Sequence, residues 1–167
     1  MNEAQRLVDL IPRLRRYARA LVGDRATADD LVQDTLERAW AKLHLYRRGT
    51  DLRAWLFTVM HNVHVNRVRA ARPTDLLDDE MPELAQRAAQ GDALMVRDLD
   101  RSIARLPEEQ RAVLLLVTLE EMSYEEVART LDVPIGTVMS RLSRAREKLR
   151  AMMLGQSTAA AKLKLVK

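Results

Sequence analysis

Apolar residues recur at three- and four-residue intervals along nearly the whole chain, and that spacing commits it to amphipathic helices. Leu7, Leu10, Ile11, Leu14, Tyr17, Ala18 and Leu21 make the first stripe. Pro12 falls inside it and predicts a short first segment or a kink. Gly23-Asp24 ends that helix, and Thr27 with Asp30 three residues on predicts a capping box for the next. Ala28, Leu31, Val32, Thr35, Leu36, Ala39, Trp40 and Leu43 form the second stripe, and Tyr46 to Thr50 reads as a turn. A third helix is expected from Asp51, with Leu52, Trp55, Leu56, Val59, Met60 and Val63 inward, followed by Val65 and Val68, and Pro73 stops it. Glycine and proline number only five each in 167 residues, so each one carries weight as a boundary signal.

The periodicity fails once, between Thr74 and about Asp92. That stretch holds Pro82, Gly91 and the acidic residues Asp75, Asp78, Asp79, Glu80 and Glu83, with a short helix expected near Leu84 to Ala89. It reads as a linker between two units. Charge divides at the same place. Residues 1–73 hold 14 Lys/Arg and 8 Asp/Glu, residues 74–100 hold 2 and 8, and residues 101–167 hold 12 and 8. The formal net charge of +4 is therefore the sum of two basic blocks and an acidic middle. The expected architecture is all-α: a helical domain over 1–73, a flexible acidic linker over 74–93, a second helical domain over 94–155 and a disordered tail over 156–167.

The second unit opens with a helix around Leu94 to Arg105, and Pro107 suits the first turn of the next. Glu108 to Glu120 is apolar on one side through Ala112, Val113, Leu115, Leu116 and Leu119. Ser123-Tyr124-Glu125-Glu126 has the form of a capping box. Asp132-Val133-Pro134-Ile135-Gly136 is a tight break, after which Val138, Leu142, Ala145 and Leu149 are spaced four, three and four to about Met153. The other face of that helix carries Thr137, Ser140, Arg141, Arg144 and Lys148. Two helices around a tight turn, the second basic and hydroxyl-rich on one side, read as a helix-turn-helix. Arginine can fork onto guanine in the major groove, and Ser or Thr can reach bases or phosphates. A helical hairpin with a solvated basic face is the competing reading.

The stretch Pro134-Ile135-Gly136-Thr137-Val138-Met139-Ser140-Arg141-Leu142-Ser143-Arg144-Ala145-Arg146-Glu147-Lys148-Leu149 resembles region 4.2 of bacterial extracytoplasmic-function (group IV) sigma factors of the sigma-70 family. Leu106 to Arg111 and Ser123 to Ala128 are similar to region 4.1 and the start of region 4.2. Ala28 to Leu36 resembles region 2.2, and Leu52 to Asn62 resembles regions 2.3 and 2.4. The resemblance runs in the family's order from about Leu10 to Met153. It implies sigma2 and sigma4 domains that bind core RNA polymerase at the beta-prime clamp helices and the beta flap, read the −10 and −35 promoter elements, and answer to an anti-sigma factor. Carried over by motif, Thr137, Met139, Ser140, Arg141, Ser143 and Arg144 stand on the −35-reading face. Asn62, Asn66, Arg67, Arg69 and Arg72 stand at the −10 element, and Asp30, Gln33 and Asp34 at the polymerase. Met139 stands where Lys or Arg is frequent in the family, and Asp34 where Glu is common.

Residues alone place Asp30, Gln33, Asp34 and Glu37 on one polar helix face, which is either solvated or a docking surface. Strand opening needs a platform for an unstacked base. Trp55 sits on the apolar stripe and reads as core, Phe57 is open to either role, and Asn66 can hydrogen-bond a base edge. No cysteine is present, which excludes disulfides, thiolate metal sites and cysteine nucleophiles and fits a reducing compartment. His44, His61 and His64 lack carboxylates at ligand spacing and read as exposed or DNA-facing, with no metal or cofactor expected. No Gly-rich phosphate loop or nucleophile elbow occurs, so enzymatic activity is not expected. The longest apolar run, Ala112 to Val117, is far short of the ~20 residues of a membrane span, and the N-terminus lacks a signal-peptide stretch, so a cytoplasmic protein without membrane insertion is expected. A sigma-like decoy would be expected to lose its basic recognition residues, and a helix-turn-helix repressor would not need the second basic block.

Overall fold

The computed structural model describes residues 2–71 and 92–165. Among the described residues there are seven α-helices: α1 (Glu3–Val22), α2 (Arg25–Ala41), α3 (Leu52–Ala71), α4 (Asp92–Ala104), α5 (Glu108–Thr118), α6 (Tyr124–Leu131) and α7 (Ile135–Leu165), with a 3-10 turn at Leu43–Leu45. Of the linker expected over 74–93, residues 74–91 lie outside the described residues, as do the short helix expected near 84–89 and Arg72, whereas residues 92 and 93 already belong to α4.

Local chemistry sets most boundaries. Asn2 caps α1, its side chain accepting from the Gln5 amide, and Gly23 ends the helix at φ 75, a left-handed conformation that glycine adopts without steric cost. Pro12 neither ends nor splits α1, which runs unbroken through it. The proline is exposed, on the side of the helix facing away from the buried Leu7, Leu14, Tyr17 and Leu21. The cap of α2 is Asp24, not Thr27: the Asp24 carboxylate accepts from both the amide and the hydroxyl of Thr27, and these bonds hold its pKa below the ordinary value. Asp51 accepts from the amides of Arg53 and Ala54 at the start of α3.

The N-terminal unit packs α2 against α1 and α3. Leu14, Leu31, Leu52, Leu56 and Met60 are fully buried there, each worth roughly 1.5–3 kcal/mol of apolar burial. Phe57 is also core, edge-on to Tyr17 with ring centroids 5.2 Å apart. Trp55 is half-buried and tilted against Tyr46. Trp40, expected in the second stripe, is instead 64% exposed. The side chain projects from the last turn of α2, one residue past the buried Ala39.

In the C-terminal unit, α5 is the central helix, packed against α6, α7 and also α1. Its run Ala112 to Leu116 is buried at every position, so the one-sided reading of this helix is corrected. A helix apolar all round needs neighbours all round, and α1 supplies the extra one. Ser123 and Glu126 form the reciprocal capping box of α6. Helix α7 does not stop near Met153 but continues to Leu165, through a stretch rich in the helix formers Ala, Lys and Leu.

Candidate nucleic-acid and protein interfaces

The turn between α6 and α7 is built by Asp132, which takes φ 53 and ends α6. From there α7 buries Val138, Leu142 and Ala145, and turns Met139, Ser140, Ser143 and Arg144 to the exterior. Ser140 donates to the Thr137 carbonyl at 3.2 Å, a bond that a base or phosphate acceptor can replace. These four residues stand on one exposed face, as expected. Thr137 and Arg141 do not: both are half-buried, and Arg141 lies 3.6 Å from the Glu109 carboxylate of α5.

Sequence reasoning counts Arg146 with Arg141 and Arg144 among the basic recognition residues and leaves out Arg150. Arg146 and Arg150 join Tyr124, Met139 and Ser143 around a surface groove of about 450 Å³ between the start of α6 and α7. The spacing Ser143, Arg146, Arg150 (three and four) was the available signal, since it puts all three on one side of a helix. Guanidinium groups beside the N-terminus of α6 suit a phosphate backbone.

The second candidate set lies near the end of α3. Asn62, Asn66 and Arg69 are exposed and line a cleft of about 720 Å³ shared with Arg38, Lys42 and His61, and with Arg141, Asp132 and Val133 of the C-terminal unit. Arg67 is not part of it. Its guanidinium pairs with Asp34 of α2, which joins a residue expected at the −10 element to one expected at the polymerase. Asp30 and Gln33 remain exposed, with the Gln33 amide 3.4 Å from Glu37. The exposed Trp40 lies one and two turns beyond Glu37 and Gln33 on this helix and extends their polar face with a large aromatic surface.

The sequence reads the histidines as exposed or DNA-facing; His61 and His64 are half-buried. His64 bonds to Glu108 across the two units, and this bond, with the nearby cations, holds the Glu108 carboxyl below its usual range. His61 borders the cleft, where burial and the neighbouring His64 push its pKa down. Tyr17, fully buried behind them, is pushed well up by burial and by Glu108 and Glu120. Among the described residues no group of three His, Asp or Glu gathers to hold a metal ion, and no helix is long and apolar enough to cross a membrane.

The halves meet through arginines. Arg111 donates to the carbonyls of Ile103, Ala104 and Leu106 and, across the interface, to Leu21 at 2.6 Å. In the opposite direction Arg16 donates to the Leu119 carbonyl at 3.1 Å and Arg53 to that of Glu120 at 2.5 Å.

Two family models match the chain: the Sigma2 domain of PhyR over residues 7–61 and Sigma-70, region 4 over residues 97–149. Among curated relatives, the chain is 36% identical over 145 residues to the ECF RNA polymerase sigma factor EcfG of Rhodopseudomonas palustris, covering 86% of this chain and 80% of that one. It is 36% identical over 144 residues to SigM, an ECF RNA polymerase sigma factor of Mycobacterium tuberculosis, covering 85% and 71%. Among solved structures, it superposes with a TM-score of 0.78 on the sigma factor RpoE of Bartonella quintana, determined in complex with the anti-sigma factor NepR, at 34% identity over 90% of this chain and 95% of that one.

Proposed function

Because this chain belongs to the extracytoplasmic-function sigma factors of RNA polymerase, we propose that it docks on core polymerase through the N-terminal unit and reads promoter DNA with both. The observation that carries this reading is the exposed face of α7, where Met139, Ser140, Ser143 and Arg144 stand clear of the apolar contacts of Val138, Leu142 and Ala145. A recognition helix needs that division, because its base-reading side must enter the major groove while the other side stays packed. Asn62, Asn66 and Arg69 contact the −10 region, with amides for base edges and a guanidinium for phosphate. Asp30 and Gln33, with Asp34, dock on the beta-prime clamp helices, and the C-terminal unit meets the beta flap. The work is done in the cytoplasm and needs no cofactor.

Control by an anti-sigma factor belongs to the same proposal, supported by the likeness to RpoE, which was solved with NepR bound. A second reading rests on the match of residues 7–61 to the sigma2 domain of PhyR, a protein also solved as an anti-anti-sigma factor complexed with NepR. A chain of that kind titrates an anti-sigma factor without initiating transcription. In vitro transcription separates the two. The sigma reading expects defined transcripts when the chain is added to core polymerase and fragmented genomic DNA of its source. Absence of polymerase binding, with tight anti-sigma binding retained, would favour the decoy.

A further inference from the structure

The loop that joins α5 to α6 carries Glu120, whose side chain has no solvent exposure. A carboxylate is rarely buried unless cations hold it, and here the cations come from the other half of the chain. Arg13 Nε and an Arg16 terminal nitrogen each lie 3.6 Å from its oxygens. Arg16 also takes the Leu119 carbonyl and Arg53 the Glu120 carbonyl. Three guanidiniums of the N-terminal unit thus converge on one short loop of the C-terminal unit. Neither Glu120 oxygen has a hydrogen-bond partner, so the charge is held by ion pairs alone and the seat is far from saturated. Arg13 and Arg16 stay about half exposed (42% and 55% of their side chains) and would regain water at little cost if the loop left.

What this seat holds shut is the cleft between the halves. Asn62, Asn66 and Arg69 face it from one side and Arg141 from the other. Its volume of about 720 Å³ is that of a small-molecule pocket, whereas a recognition helix must enter a groove ~12 Å wide on a duplex.

We propose that Glu120, seated among Arg13, Arg16 and Arg53, is a latch that holds the free chain closed with part of its nucleic-acid surface masked, and that the latch must release before DNA is bound. The masking rests on the assignment of those cleft residues to DNA; the latch itself rests only on the contacts between the halves.

Because the chain has no cysteine, the exposed Asp29 and Glu125 can be replaced by Cys in the full chain and spin-labelled as a pair across the interface. Glu120→Lys would put a fourth cation among the three arginines. The distance between labels is expected to lengthen and broaden, and a 40-base-pair duplex of random sequence to bind about tenfold tighter. Glu121→Lys is the control: the same change in charge, one residue away and exposed, leaving the distance as in the parent. Adding Arg13→Glu and Arg16→Glu to Glu120→Lys reverses the pairing and is expected to restore the short distance. The latch is overturned if Glu120→Lys and Glu121→Lys give the same distance, or if the swapped triple variant stays open. Separated labels with equal duplex affinities in the two Lys variants would overturn the masking. None of these results depends on promoter-directed transcription, so the sigma reading can fail separately.

Discussion

Asp34 of α2 and Arg67 of α3 form an ion pair that ties together the two helices expected to serve different partners. The pair is half exposed, 48% and 32% by side chain, and exposed pairs stabilise by about 0.2–1 kcal/mol after screening by water and salt. A double-mutant cycle of Asp34→Asn and Arg67→Gln, followed by urea unfolding, should return a coupling within that range. If Asp34 also docks on polymerase, Asp34→Asn should weaken core binding several-fold while the melting curve hardly moves. A coupling well above the range would make the pair a structural tie and remove it from both interfaces.

Arg144 is an exposed guanidinium on the proposed recognition face, and Arg141, half-buried and 3.6 Å from Glu109, is not equivalent to it. Replacing Arg144 with Ala should cost about 1–3 kcal/mol of discrimination between matched and mutated −35 sequences if it forks onto a base. Competition binding with single-base variants of a mapped promoter measures this. A loss equal across all variants would make Arg144 a phosphate contact instead.

The helix-turn-helix was legible because its determinants are local. The Ser123/Glu126 box and the Asp132 break act within a few residues of each other, and periodicity selects the buried face of α7. What escaped depends on contacts between distant parts of the chain. Leu114 looks solvent-facing from the spacing of α5 and is buried because α1 also packs on that helix. Arg141 belongs by spacing to the exposed face of α7 and is drawn aside by Glu109. The Arg16 and Arg53 bonds to the α5–α6 loop span 103 and 67 residues, and no local pattern announces a donor–acceptor pair at that range. Even the Asp24 cap was missed, although local, because Thr27 with Asp30 offered a competing box in nearly the same place.

Arg111 is expected to be the least replaceable charge in the molecule. Its guanidinium reaches four backbone carbonyls, including those at the C-terminal ends of α1 and α4, where carbonyls lack helical partners and the dipole favours a cation. Lysine keeps the charge but cannot reproduce the planar fork. Arg111→Lys should therefore destabilise the chain by about 2–3 kcal/mol in urea, the scale of lost hydrogen bonds to a charged group. A change within about 0.5 kcal/mol would show that water replaces these bonds freely.

Acidification should loosen the protein through His61. Burial first, and then His64 and Arg141, disfavour its protonated form, while Glu108 acts in the opposite sense, and the net shift is downward from 6.5. The unfolded chain therefore binds a proton at a higher pH than the folded one. Stability is complete above about 6.5 and is lost as the pH falls from there toward the lowered folded value. Glu108 adds nothing in that window, since its carboxyl lies below the ordinary 4.5 and its contribution fades only under stronger acid. Urea midpoints measured at pH 7.5 and 5.5 should drop at the lower pH, and His61→Gln should flatten the difference. If the variant keeps the full pH dependence, the proton responsible is taken up elsewhere and His61 is not the group that couples this cleft to pH.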